Sequence, residues 1–214
     1  MSARNPAAVL AMKAVTTFYR RLFFVVRAFD RPIPKLHSQL PIEMRLLSEK
    51  DLHAYLVLRP DQKPEQIRDR LRLGHQCHVS WHQGEIVDAA WCATGLGPVP
   101  YLGRQLVLAP NEVFIFDAYT APKHRGHNLF MAKFTRIFRL TRDAGYARNS
   151  GVVAVENRTS MTVLRRLGCE AIGLYSSVGI GRCRWIWQQP FTEEPLPLLC
   201  AARSVHFMRW RSPT

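Results

Sequence analysis

The residues whose types and spacing could do chemistry fall largely in one stretch, residues 112 to 169. Asp117 sits inside Glu112-Val-Phe-Ile-Phe-Asp-Ala-Tyr119, a run of aromatic and β-branched residues that reads as a buried strand. Burial disfavours a charged carboxylate, so the pKa of Asp117 is expected to rise towards the range of a general base. The competing reading is a structural carboxylate bonded to a backbone group or an arginine. Tyr119 on the same strand, Asp88 and His82 are further candidates for moving a proton, as is a chain of water. Next comes Lys123-His-Arg-Gly-His-Asn-Leu129, a short basic turn running straight into a helical pattern. A helix that starts directly after a strand presents unpaired N–H groups and the positive end of its dipole. With Arg125 and Gly126 beside it, that end suits a pyrophosphate. Asn128 tolerates unusual φ, and His124 and His127 add positive charge when protonated. A plain connection with a solvated basic loop is the competing reading.

The elements that must position these groups are legible from periodicity. Leu129, Ala132, Lys133, Ile137, Leu140 and Ala144 lie near helical spacing, and Gly145 supplies the stop. A strand, Gly151-Val-Val-Ala-Val-Glu156, follows, and a second helix runs from Asn157 to Gly168. Asn157 and Ser160 put an amide at a strand end and a hydroxyl one turn later. Asn157 capping its own helix is the bland alternative.

Together the two halves resemble the GNAT superfamily of acyl-CoA N-acyltransferases, over roughly residues 42 to 188. The family's phosphate turn, Arg/Gln-x-x-Gly-x-Gly/Ala, stands here as Arg125-Gly126-His127-Asn128-Leu129-Phe130. Its next helix, opening with Asn and ending Leu-Gly-Phe, stands as Asn157-Arg158-Thr159-Ser160 and Leu167-Gly168-Cys169. Asn128 occupies the motif's first glycine position and Phe130 its last small one. Leu164 stands where many relatives carry an acid tyrosine, which removes one common mechanism. The resemblance implies an α/β (α+β) fold with a mixed, mostly antiparallel central sheet flanked by helices. It also implies acetyl-CoA as co-substrate and direct acetyl transfer to a small-molecule amine of amino sugar or amino acid type. The phosphates would lie on the backbone of Arg125 to Phe130, and Asn157, with Ser160 beside it, would meet the pantetheine. N–H groups about Tyr119, Thr120 and Ala121 would polarise the acyl carbonyl, and Arg158 could meet a phosphate.

Composition bounds the rest. A chain of 214 residues with 47% hydrophobic content is long enough for one domain with a real core. No apolar run reaches membrane-spanning length without a charge. The five cysteines show no CxxC pair and no His/Cys spacing that suggests zinc, so free thiols in a reducing, cytoplasmic compartment are expected. Cys92 and Cys169 have no activating partner in sequence. With 30 Lys+Arg against 16 Asp+Glu, the formal charge of +14 attracts polyanions. CoA, nucleic acid and anionic lipid all qualify, but the basic residues are spread rather than clustered, which disfavours a dedicated nucleic-acid binder.

Residues 7 to 29 read as an extra, apolar and basic N-terminal helix, docked on the domain or a protein partner, or lying on a membrane surface. Three prolines between residues 32 and 41 then read as a linker, giving an extension over 1 to 40 and a domain over 41 to 188. Within the domain a strand at 42 to 47, helices at 48 to 58 and 65 to 73, and a hairpin turning at Gln83-Gly84 precede the central strand. The Gly- and Pro-rich loop from 95 to 110 carries Tyr101, Arg104 and Gln105, which face either substrate or solvent. Two strands follow the core, and the apolar tail from 189 to 214 is expected to pack on the domain or a partner. A homodimer is compatible with this organisation. The alternative to an enzyme is a GNAT-fold binding module for nucleic acid, membrane surface or protein, lacking useful CoA affinity.

Overall fold

The computed structural model describes residues 19–180 and 183–201. Within them the elements run β1 (Tyr19–Ala28), β2 (Glu43–Leu46), α1 (Leu52–Leu58), α2 (Pro64–Arg72), β3 (Gln76–His82), β4 (Glu85–Ala93), β5 (Leu96–Val99) and β6 (Arg104–Val107). Then come β7 (Glu112–Thr120), α3 (Leu129–Asp143), β8 (Arg148–Ala154), α4 (Arg158–Arg166), β9 (Glu170–Ile180), β10 (Cys183–Pro190) and β11 (Leu199–Ala201). The main sheet has the order β10-β9-β1-β8-β7-β4-β3-β2, and β11-β6-β5 form a second, small sheet. Every neighbouring pair in the main sheet is antiparallel except β7 with β8. The expected mixed, mostly antiparallel sheet flanked by helices is therefore what forms.

Alternation along the strands divides the core between the two sheet faces. Phe24, Trp91, Phe114 and Phe116 pack on one face with Tyr55 of α1 and Ile67 of α2. Val25, Cys92 and Ile115 pack on the other with Phe134, Phe138 and Leu164 of α3 and α4.

The N-terminal segment corrects the sequence reading. Residues 19–28, expected to be helical, form β1, paired antiparallel with β8 on one side and β9 on the other. Leu22, Phe24 and Val26 enter one core and Val25 the other. A strand buried on both faces shows a continuous apolar run, which periodicity alone cannot tell from a buried helix. The folded unit thus begins before residue 41, while residues 7–18 of the expected helix lie outside the described residues. At the other end Leu196 is buried against Gly173, and β11 pairs with β6. The described part of the tail therefore packs on the domain.

Candidate active site

The site is built where β7 and β8 separate. Their parallel ladder runs only from Glu112 with Arg148 to Ile115 with Gly151. A Cβ on Gly151 would lie 3.0 Å from the Ile115 carbonyl oxygen, so glycine permits the close approach at the point of divergence. Beyond it β7 follows β4. Trp91 pairs with Phe116 and Ala89 with Tyr119, so Ala90 alone faces both Asp117 and Ala118. This is a bulge, and Asp117 takes its left-handed conformation at φ 47°. The bulge bends β7 away from β8 and opens a cleft of about 670 Å³ through the sheet, within the ordinary range for small-molecule and cofactor sites.

One end of the cleft meets α3 and α4. Phe130 and Phe134 line it, stacked with centroids 4.1 Å apart. Asn157, Ser160 and Leu164 line the facing side. The Asn157 side chain accepts a hydrogen bond from the Ser160 N–H at 3.1 Å, so the capping role is real and coexists with a place on the cleft wall. The turn ahead of α3 has a backbone shape that would suit an anion. Gly126 has φ 88°, with open space where a Cβ would sit, and Asn128 takes the left-handed conformation at φ 59°. Asparagine is among the few residues that accept that conformation, so the departure from glycine preserves the turn. The first intrahelical bond runs from the Ala132 N–H to the Asn128 carbonyl at 3.0 Å. The N–H groups of Leu129, Phe130 and Met131 therefore precede the helical ladder. Arg125 is exposed beside them, its Nε donating to the Thr120 carbonyl at 3.3 Å.

Asp117 lines the middle of the cleft, and its surroundings overturn the expected pKa. Burial alone would raise it, but Arg70 and Arg59 outweigh burial and hold the carboxyl below its usual range. Arg59 Nη1 donates to Oδ1 at 2.6 Å, and Arg70 Nη1 and Gln62 Nε2 donate to Oδ2 at 2.7 Å each. A carboxylate accepting three such bonds is a poor proton acceptor near neutral pH. It is the arginine-bonded structural carboxylate of the competing reading.

The other proton-transfer candidates lie off the cleft. Tyr119 stacks under Arg59, whose Cζ is 4.9 Å from the ring centroid. Asp88 is fully buried, paired with Lys133 and accepting from Thr120 Oγ1 at 3.1 Å. Burial raises its pKa while Lys133 opposes the rise. His82 sits at the hairpin end, its Nδ1 2.8 Å from the Pro41 carbonyl. Of the N–H groups expected to polarise a carbonyl, that of Ala121 is committed to the Val87 carbonyl at 2.9 Å. Thr120 lies opposite Asp88 in a non-hydrogen-bonded pair of the β4–β7 ladder, so its N–H points away from β4. The β7 residues that line the cleft are Ile115 to Ala118.

At the opposite end the cleft is walled by Pro98, Pro100 and Tyr101 from the small sheet, with Arg20 of β1 and Arg184 of β10. Tyr101, a candidate for facing substrate, lines the cleft. Gln105 is buried and Arg104 half-buried, and neither lines it. Arg20, Arg59, Arg70 and Arg184 were not singled out from sequence. Each comes from a distant segment, and only their number, within the surplus of basic residues, hinted at them.

No protein-family profile and no curated protein matches this sequence. Solved structures do. A GCN5-related N-acetyltransferase from Sphaerobacter thermophilus superposes with TM-score 0.54 at 17% identity, over 82% of this chain and 56% of its own. A GNAT-family acetyltransferase from Colwellia psychrerythraea gives 0.55 at 12%, over 81% and 57%. One described as a putative GNAT acetyltransferase, from Novosphingobium aromaticivorans, gives 0.54 at 15%, over 81% and 66%. This chain thus spans between half and two thirds of those proteins, and it has their fold.

Proposed function

We propose that this GNAT-fold chain is an N-acyltransferase that moves an acetyl group from acetyl-CoA to the primary amine of a small molecule, directly, within a ternary complex. The observation that supports the reading is the cleft at the β7–β8 splay, which runs from Phe130 in the first turn of α3 to Tyr101, Arg20 and Arg184.

Acetyl-CoA, when bound, supplies the thioester. The residues of the chain fit it. The N–H groups ahead of α3, with Arg125, match phosphate oxygens, and Asn157 offers an amide to the polar arm. The β7 edge at Phe116 to Ala118 is placed to donate to an acyl oxygen as negative charge develops on it. Holding amine and thioester in one cleft removes the entropy of bringing them together. The amine nitrogen bonds the acyl carbon, the carbon–sulfur bond breaks, and the thiol leaves.

Proton transfer falls to water at the open mouth. Asp117 is held low by its arginines, and the Tyr101 phenol is raised, chiefly by burial. Burial pushes the Cys169 thiol to about 12. The other charged groups on the cleft wall are arginines, which do not deprotonate. No acidic or basic side chain lining the cleft among the described residues is therefore poised near neutral pH. The attacking amine must arrive neutral or lose its proton to solvent.

Calorimetric titration with acetyl-CoA, beside Arg125→Glu, tests the reading. Micromolar binding that weakens at least tenfold in the variant is expected. A folded wild type that binds no CoA would replace the enzyme with a binding module for a protein, nucleic acid or membrane surface.

A further inference from the structure

Around Tyr101, three arginines converge from three distant parts of the chain. Arg184 of β10 donates from Nη1 to the Tyr101 carbonyl at 3.0 Å. Arg20 of β1 lies over the Tyr101 ring, its Cζ 5.4 Å from the centroid. Arg104, three residues on at the start of β6, donates to the Gly103 carbonyl at 3.1 Å. Arg20, Arg184 and Tyr101 line the acceptor end of the cleft.

The nearby acidic groups do not balance these charges. Asp117 is committed to Arg59, Arg70 and Gln62, and Asp61 to Arg59. Glu156 acts on Tyr101 through space. Among the described residues, none of Arg20, Arg104 and Arg184 forms an ion pair. Among the described residues, these three guanidinium groups against the one carboxylate of Glu156 leave a local surplus of two positive charges. Arg184 records the crowding: its proton affinity is lowered by burial, then by Arg20 and Arg104. Like charges held this close are costly unless an anion joins them, and guanidinium groups suit carboxylate and phosphate oxygens.

We infer that the acceptor is a small amine that carries its own anionic group, a carboxylate or a phosphate, which docks on Arg20 and Arg184 beside Tyr101 and leaves the amine facing the thioester. This rests on the acetyltransferase reading and narrows it. Amino acids and phosphorylated amines fit the acceptor end. Polycationic amines and unmodified amino sugars are repelled by it.

The test uses the full chain with matched pairs, read by thiol release. One arm compares a panel of L-amino acids with their carboxamides. The other compares O-phosphoethanolamine with ethanolamine. A binding arm titrates N-acetyl amino acids and N-acetyl carboxamides into the CoA-saturated protein by calorimetry. Arg20→Gln and Arg184→Gln run beside the wild type, and circular dichroism verifies their folding.

The anionic member of at least one pair is expected to be used at least tenfold better in kcat/KM. Each variant should shrink that ratio about tenfold through KM, with CoA affinity within twofold of wild type. Which pair responds tells carboxylate from phosphate. Equal use of charged and neutral partners, or no binding of any probe, by a protein that binds CoA overturns the inference and leaves the acetyltransferase reading standing. A protein that does not bind CoA overturns both.

Discussion

Asp117 shows how the same local sequence permits opposite chemistry. Its strand neighbours are apolar, which by itself favours a raised carboxyl. Arg59 and Arg70, 58 and 47 residues away in sequence, reverse the sign. Removing the charge should therefore be felt as stability before catalysis. Asp117→Asn strands two arginines in a nearly buried site and is expected to cost about 3–5 kcal/mol, read by urea denaturation. Because the folded pKa lies below the unfolded one, this contribution is present above the ordinary carboxylate range. It is lost as pH falls through the folded value. The kcat/KM profile should rise with pH and level off at the pKa of the acceptor amine. Two acceptors of different amine pKa should shift that limb by the same difference, whereas a limb fixed for both would point to a protein base. His75 and His78 set a separate acid limit. Burial lowers both to about 4. The unfolded chain binds more protons than the folded one between about 6.5 and 4, so stability should decline as pH drops through that window. Thermal melts across it should flatten in the His75→Gln, His78→Gln double variant.

At the scale of elements, the site depends on a strand from a distant part of the sequence as well as on the two that splay. β8 is held on its far side by β1, so the N-terminal strand braces the wall of the cleft. Phe24 is fully buried and meets Tyr175 edge-on, with centroids 6.0 Å apart. Phe24→Ala is expected to cost about 3–5 kcal/mol in urea unfolding. Gly151→Ala is a finer probe. Its Cβ would press on the Ile115 carbonyl at the last parallel pair, forcing β7 and β8 apart. A stability loss of about 1–3 kcal/mol should accompany weaker acetyl-CoA binding by calorimetry. A loss of stability with unchanged affinity would show that the splay tolerates widening. The elements around the turn before α3 were legible because strand, turn and helix each follow from local chemistry. β1 was misread because a strand covered on both faces loses its alternation. Its Phe, Val and Tyr content was the unused signal. The arginines around Asp117 and Tyr101 were illegible because they converge only through tertiary pairing.

The whole molecule carries +14 of formal charge, and on this fold the surplus has a consequence at both ends of one cleft. In the proposed reaction CoA would bring phosphates to Arg125 and the N-terminus of α3, while Arg20 and Arg184 line the far end of the cleft. Among the described residues no helix is long and apolar enough to cross a membrane. A basic surface of this size attracts anions generally. The turn is exposed, so its attraction for phosphate is screened once the Debye length falls to a few ångströms. Raising sodium chloride from 0.05 to 0.5 M should weaken acetyl-CoA binding about tenfold by calorimetry. Arg125→Glu should bind more weakly throughout and show a shallower dependence, since one favourable charge is replaced by an opposing one. Dephospho-CoA, with fewer charges, should also show a shallower slope in the wild type. Salt-independent affinity in all three titrations would mean that the apolar and amide contacts inside the cleft hold the cofactor, with the basic turn serving only to shape its entrance.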